Sequence, residues 1–394
     1  MEDYQEQEYE FWRKLDDQMD RRRLLKRGLA AGAGLTILSL SETALAARQR
    51  VTATTPPLRG RDVTVKEMVA EARKEGHLNL IATPPEWANY AEIIPTFSKK
   101  YGIPNTVDNP EGSSGDEVQA VISLKGQSRA PDAVDVSPTF AVTPANQGLY
   151  DKYYVTEWKS IPRAMKDGRG YWAADIFGSM AFGANLSVVP SVPKDWSDLF
   201  NINAKFALND DPRKAGTAFA GVFAAALGNG GSLNDITPGI DFFAKLNKAG
   251  KFQAINVTPQ TVASGQTPVT IDWDYNQLGY KKTYTNFTWA VSIPKSGTYS
   301  SYYCQAINAT APHPWAARLW EEFLYSDQGQ LLYLKGYAHP ARFADLLKRN
   351  VVPKAQLAAL PALPAGGVKF ASLAQQNKAK AVVNAQWGPK VLGA

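Results

Sequence analysis

From residue 65 onward the chain repeats one local pattern: an amphipathic stretch, a short apolar run, and a turn rich in Gly, Pro, Ser or Thr. Residues 65–75 space their apolar side chains as a helix does and stop at Gly76, residues 77–82 read as a strand, and Thr83-Pro84-Pro85 turns the chain into a helix running to about Tyr101. The rhythm continues with a strand at 106–109, a loop at 111–115, a helix at 116–124 and a strand at 132–136. Such alternation predicts an α/β fold, a parallel sheet with helices on its faces. In open sheets of this kind ligands sit beyond the carboxyl ends of the strands. The loops at 83–89, 112–115 and 137–139 are therefore expected to face one cleft, with Thr83, Trp87, Ser113, Ser114, Gly115 and Ser137 as candidate ligand-binding residues.

Residues 176–186 alternate small and apolar side chains around Gly178 and Gly183, as expected of a strand crossing between two lobes. Beyond it come a turn and short helix at 193–200, a strand from 205 to 208, and a small-residue helix at 218–227. Ser113, Ser114 and Gly115 precede a helix, so their N–H groups and hydroxyls favour an anion or a carbonyl; simple N-capping is the plainer alternative. Gly216 and Thr217 repeat that arrangement on the opposing lobe. Residues 268–275 read as a strand on which Asp272 and Asp274 share one face while Trp273 and Tyr275 share the other. Carboxylates pair with a cation and aromatic faces attract one, so either face suits a positive group. An Asp capping the next helix, with Trp273 in the core, accounts for the same residues. The chain returns to the first lobe through 287–294, followed by Tyr302 and Tyr303, adjacent hard oxygen donors that could hold ferric iron. The expected division is lobe I at 63–180, lobe II at 181–290, and lobe I again at 291–394, with the C-terminal helices packing on the first lobe.

At 394 residues the chain is long enough for two lobes, and its +6 formal charge is scattered, with no basic stripe interleaved with aromatics. Nucleic acid is not an expected partner. Cys304 is the only cysteine, which excludes an internal disulfide and a cysteine zinc cluster. His77, His313 and His339 show neither metal-ligand spacing nor a catalytic context, and no G-x-S-x-G elbow occurs. No enzymatic activity and no cofactor are expected; acid–base chemistry by Asp272 and Asp274 is the enzymatic alternative.

Residues 20–26, Asp-Arg-Arg-Arg-Leu-Leu-Lys, resemble the twin-arginine export signal. The apolar stretch at 28–40 would span only about 20 Å as a helix against roughly 30 Å of bilayer hydrocarbon. Ala44-Leu45-Ala46 has the form a signal peptidase accepts. Residues 1–46 thus read as a signal peptide cleaved after Ala46 and 47–62 as a linker, which places the mature protein in the periplasm or another extracytoplasmic space. A basic amphipathic helix that stays attached is the alternative.

An ordered series of short segments carries a wider likeness: Phe97-x-x-x-Tyr101-Gly102-Ile103, Gly112-Ser113-Ser114-Gly115, Asp132-x-x-Asp135-Val136, Pro193-Lys194-Asp195-Trp196, Asp211-Pro212-Arg213-x-x-Gly216-Thr217, Ser264-Gly265-Gln266-Thr267-Pro268-Val269, His313-Pro314-Trp315-Ala316-Ala317 and Tyr325-Ser326-Asp327-Gln328-Gly329-Gln330. In that order they resemble the bacterial extracellular solute-binding proteins of the iron, thiamine, phosphonate and polyamine type. The resemblance implies a two-lobed periplasmic-binding-protein fold of type II, with a two-strand hinge and one ligand cleft between the lobes. It also implies a monomer that delivers a small polar solute to the permease of an ABC transporter after export by the twin-arginine machinery. Iron-binding relatives carry a tyrosine pair after the second-lobe strand, where this chain has Asp274-Tyr275. Polyamine-binding relatives would have an acidic residue near Tyr303, and this chain has none. The cluster from Asp272 to Tyr275 favours an amine or other positive group on the solute. A ligand sensor without transport would show the same residues.

Overall fold

A computed structural model describes residues 55–361 and 369–393. The expected export signal and cleavage site lie outside the described residues. The end of the expected linker is docked rather than loose: Gly60 donates its N–H to Tyr154, and the buried Arg318 donates from Nε to the Pro57 carbonyl. No helix among the described residues is long and apolar enough to cross a membrane.

The strands, in chain order, are β1 (Leu78–Ile81), β2 (Asn105–Asp108), β3 (Ala133–Val136), β4 (Ala173–Asn185), β5 (Phe206–Leu208), β6 (Val269–Trp273), β7 (Trp289–Ser292), β8 (Ser300–Ile307) and β9 (His339–Pro340). Local chemistry sets the first elements as the spacing predicts. Thr64 and Glu67 form a reciprocal capping box at the start of the helix Val65–Glu75, and Gly76 ends it at φ 78°, a left-handed conformation that costs glycine little. β1 and β2 pair in parallel, and Asp132 donates its N–H to Asn79, setting β3 beside β1. β3 pairs antiparallel with β8, and β8 with the first half of β4.

All thirteen residues of β4 are buried, and the strand belongs to both lobes. Its first half pairs with β8 and β9; its second half pairs with β6 and β7, and β5 extends that sheet in parallel with β6. The crossing falls at Ser179 and Met180. There Met180 N–H donates to Tyr299, and the Ser179 and Ser300 hydroxyls meet at 2.6 Å. The β4 crossing and the neighbouring return of the chain through Tyr299 and Ser300 form the hinge. Because β7 still pairs with the lobe II half of β4, the return to lobe I comes at Ser300 and not at 291.

The helices Pro314–Leu324 and Asp327–Lys335 pack on lobe I, the first capped by Glu75, whose carboxylate accepts from the N–H groups of Trp315 and Ala316. The last helix, Leu373–Trp387, departs from the expectation. It packs on Pro138–Asn146 of lobe I but also on Thr237–Lys248 of lobe II, where Trp387 meets the rings of Phe243 and Phe252 at 5.5 and 6.0 Å. A buried tryptophan at its end needs apolar surface, and lobe II supplies it.

His339 on β9 is buried, stacks on Phe177 at 4.8 Å, and has no hydrogen-bond partner on either ring nitrogen. Burial pushes its pKa down to about 4. The folded protein therefore takes up this proton later than the unfolded chain, so stability is lost as pH falls from about 6.5 towards 4, by about 3 kcal/mol at most. His339→Phe should leave stability at pH 7 within about 1 kcal/mol and remove that share of the acid sensitivity. Chemical denaturation of both proteins at pH 7 and pH 4.5 tests this; an unchanged difference between the two pH values would refute it.

Candidate functional site

Between the lobes lies a narrow cleft with a cavity volume of about 50 Å³. Lobe I contributes Ala82, Pro84, Trp87, Glu111, Ser113, Ser114, Glu117, Asp135 and Tyr303; lobe II contributes Asn209, Asp210, Gly216, Thr217 and Asn256. The lobes touch around it. Gly115 N–H donates to the Lys214 carbonyl at 3.0 Å, and the Thr217 hydroxyl meets the Tyr303 hydroxyl at 2.9 Å. A Cβ placed on Gly216 would fall 2.3 Å from Ser137 Cβ, so only glycine admits this closed approach.

Three of the expected residues build an aromatic wall with Trp87. Its ring stands edge-on to Tyr303 at 5.0 Å and to Tyr275 at 5.5 Å, and Trp273 stacks on Tyr275 at 6.2 Å. Trp273 Nε1 donates to the Thr217 hydroxyl at 3.0 Å within lobe II, and Trp273 and Tyr275 back the two lining rings, Trp87 and Tyr303, from that lobe.

The opposite chemistry comes from buried carboxyls. Glu117 accepts from Asp135 N–H at 2.8 Å, and Asp135 Oδ2 accepts from the Tyr90 hydroxyl at 2.9 Å, while Asp135 Oδ1 is buried without a partner. Behind them Asp175 Oδ2 accepts from Gln305 and Tyr333 at 2.9 and 2.8 Å. Among the described residues no lysine or arginine forms an ion pair with any of the three. Buried charge without a partner is costly. Accordingly, burial and the nearby Asp135 push Glu117 well above its usual range, and burial and Asp175 do the same to Asp135. Glu111 at the cleft is also raised, by burial and by Glu86.

Several expectations need correction. Strand β6 stops at Trp273 and a helix, Asp274–Thr283, begins at Asp274, so the two-residue alternation assumed over 272–275 breaks there. Asp274 takes no part in the cleft: its Oδ1 accepts from the N–H of Ser179 in the hinge and of Tyr275. Asp272 is equally committed, to Trp273 N–H, Asn276 and Asn209. Tyr302 faces away from the cleft and stacks on Trp172 at 6.4 Å, because neighbours on a strand point to opposite faces. The adjacent tyrosines therefore cannot close on one ion. Ser113 is a cap: its hydroxyl and N–H engage Asp116. Ser114 Oγ accepts from Ser137 N–H. With Gly115 N–H given to Lys214, the lobe I helix start that was expected to favour an anion is already occupied.

Thr83 and Ser137 are buried with partnerless hydroxyls, Thr83 between two cleft residues and Ser137 against Gly216. Sequence reasoning missed Glu111, Glu117, Asn209, Asp210 and Asn256 as lining residues, and read Asp135 only as part of a strand. Position offered one signal: Asp135 lies two residues before Ser137, on the same face of the same strand end.

The profile of the bacterial extracellular solute-binding proteins matches residues 131–362. No curated protein sequence matches the chain significantly. Many solved structures share its fold. AfuA from Actinobacillus pleuropneumoniae, solved with fructose-6-phosphate, is 17% identical with a TM-score of 0.64, over 81% of this chain and 99% of AfuA. Iron-bound HitA from Pseudomonas aeruginosa is 19% identical with a TM-score of 0.56, over 79% and 99%. AgtB from A. tumefaciens R10, in complex with agropinic acid, is 16% identical with a TM-score of 0.64, over 80% and 99%. These are periplasmic binding proteins, and their likeness fixes the architecture as the two-lobed type II fold. With the family profile covering more than half its length, the chain belongs to the bacterial extracellular solute-binding proteins.

Proposed function

We propose that this protein captures a small amine-bearing solute outside the cytoplasm and presents it to the permease of an ABC importer. The observation that carries the amine is the cleft itself: the partnerless, buried Asp135 Oδ1 and Glu117 share its lining with the rings of Trp87 and Tyr303, which Tyr275 backs. A positive group would meet carboxylate on one side and ring faces on the other, where cation–π contact adds about 0.5 to 2 kcal/mol. A phosphate or citrate would meet Glu111, Glu117, Asp135 and Asp210 without a countercharge from the cleft lining. Capture by closure fits the two-strand hinge, since a ligand that touches both lobes stabilises the closed form. Export through the twin-arginine route, with cleavage after Ala46, supplies the location.

A thermal-shift series tests the reading. Among 1,4-diaminobutane, 4-aminobutanoate, choline, thiamine, fructose 6-phosphate and ferric citrate, an amine should stabilise the protein, by about 2.7 kcal/mol at 100 times its dissociation constant. Stabilisation by the sugar phosphate or ferric citrate alone would sink the proposal.

A further inference from the structure

The cleft has a second end of opposite polarity. The helix Gly216–Gly228 starts at the cleft with Ala215 at its N-cap, and no side chain caps it. Among the described residues the N–H groups of Gly216, Thr217 and Ala218 have no acceptor. The aligned dipoles of a thirteen-residue helix leave about half a positive charge at such a start. Its counterpart in lobe I differs, because Asp116 and Ser113 already satisfy that helix start. An independent feature points to the same spot. Ser137 is buried at 6% exposure, its hydroxyl has no partner, and it does not cap its own helix, Pro138–Asn146. That oxygen lies 2.6 Å from where a Gly216 Cβ would be, so it stands at the open helix start as a free donor.

The spacing of the two ends follows from the strand. Asp135 and Ser137 are two residues apart on extended backbone and project to one side, which sets their side chains about 7 Å apart. One end offers a carboxylate oxygen, the other backbone N–H groups and a hydroxyl. We propose, resting on the amine reading above, that the solute is a short zwitterion, its ammonium held at Asp135 and its carboxylate held by the start of helix Gly216–Gly228 and Ser137. The reach between the ends suits an amino acid with one to three carbons between its charged groups.

The test is a calorimetric titration of the full-length protein with four probes of matched length: 4-aminobutanoate, n-butylamine, butanoate and 1,4-diaminobutane, with glycine and β-alanine as shorter zwitterions. The tightest zwitterion should bind at least tenfold more tightly than n-butylamine and 1,4-diaminobutane. Ser137→Ala should weaken the zwitterion about fivefold to tenfold, leave the amines unchanged and leave the melting temperature of the free protein unchanged, because that hydroxyl holds nothing in the fold. If either amine equals the best zwitterion, or if Ser137→Ala weakens amines and zwitterions alike, the carboxylate end is refuted while the amine reading stands. If butanoate binds best, or no probe binds, both fall.

Discussion

A valine at position 216 is expected to abolish solute capture in a protein that still folds. Gly216 has ordinary helical backbone, so the substitution brings no conformational strain of its own; the obstacle is the other lobe. Even a Cβ would sit 2.3 Å from Ser137 Cβ and 3.3 Å from the Tyr303 hydroxyl, well inside ordinary contact distance. The lobes can avoid this overlap only by standing apart, which removes the Gly115 to Lys214 bond and the Thr217 to Tyr303 contact together. Affinity should fall at least about 100-fold, equivalent to about 2.7 kcal/mol. Small-angle scattering should show that added ligand no longer shrinks the radius of gyration. Pairing Gly216→Ala with Ser137→Gly removes one partner of the overlap and should recover part of the closure. A Gly216→Val protein that closes and binds normally would show that the two lobes do not meet here.

Asp135→Asn should cost nearly as much by a different route. The amide keeps an acceptor for the Tyr90 hydroxyl but removes the charge from a buried, unpaired carboxylate oxygen of the cleft lining. Truncating one partner of a buried charged pair typically costs 2 to 5 kcal/mol, so amine affinity should fall about 100-fold or more. The pH dependence carries the same signature. Burial raises the pKa of both Asp135 and Glu117, and an arriving ammonium pairs only with their deprotonated forms. Amine binding is therefore strongest above their raised pKa values and is lost as pH falls through them. The wild type should show that loss on acidification and the Asn variant a flatter profile. Equal affinities for the two proteins at pH 7.5 would remove Asp135 from the binding role.

The architecture was legible because it rests on local signals. Thr64 and Glu67 cap a helix and Gly76 ends it within a few residues of chain, and the small, apolar run at 176–186 could be recognised as a strand crossing between lobes. The site was legible only in part. Trp87, Gly216 and Thr217 line the cleft as strand ends and helix starts predict, while Tyr303, proposed from sequence as an iron donor, lines it in another role. Tyr302 was misplaced by reading neighbours as partners, and Asp274 by carrying a strand two residues too far. Glu117 was invisible for another reason. On a helix with acidic residues in its first turn it looks like ordinary surface chemistry, and only the packing of β3 against that helix buries it.

The shared strand β4 has a consequence for how such receptors diversify. Neither lobe owns it: an ancestral exchange of one lobe for that of a relative would have to splice within thirteen buried residues whose first half pairs with β8 and β9 and whose second half pairs with β6 and β7. Inheritance of the scaffold is thus all or nothing, while the loops at the strand ends vary without penalty to either sheet. New ligand preferences in this lineage are expected to arise by rewriting a handful of residues at the rim of an indivisible frame.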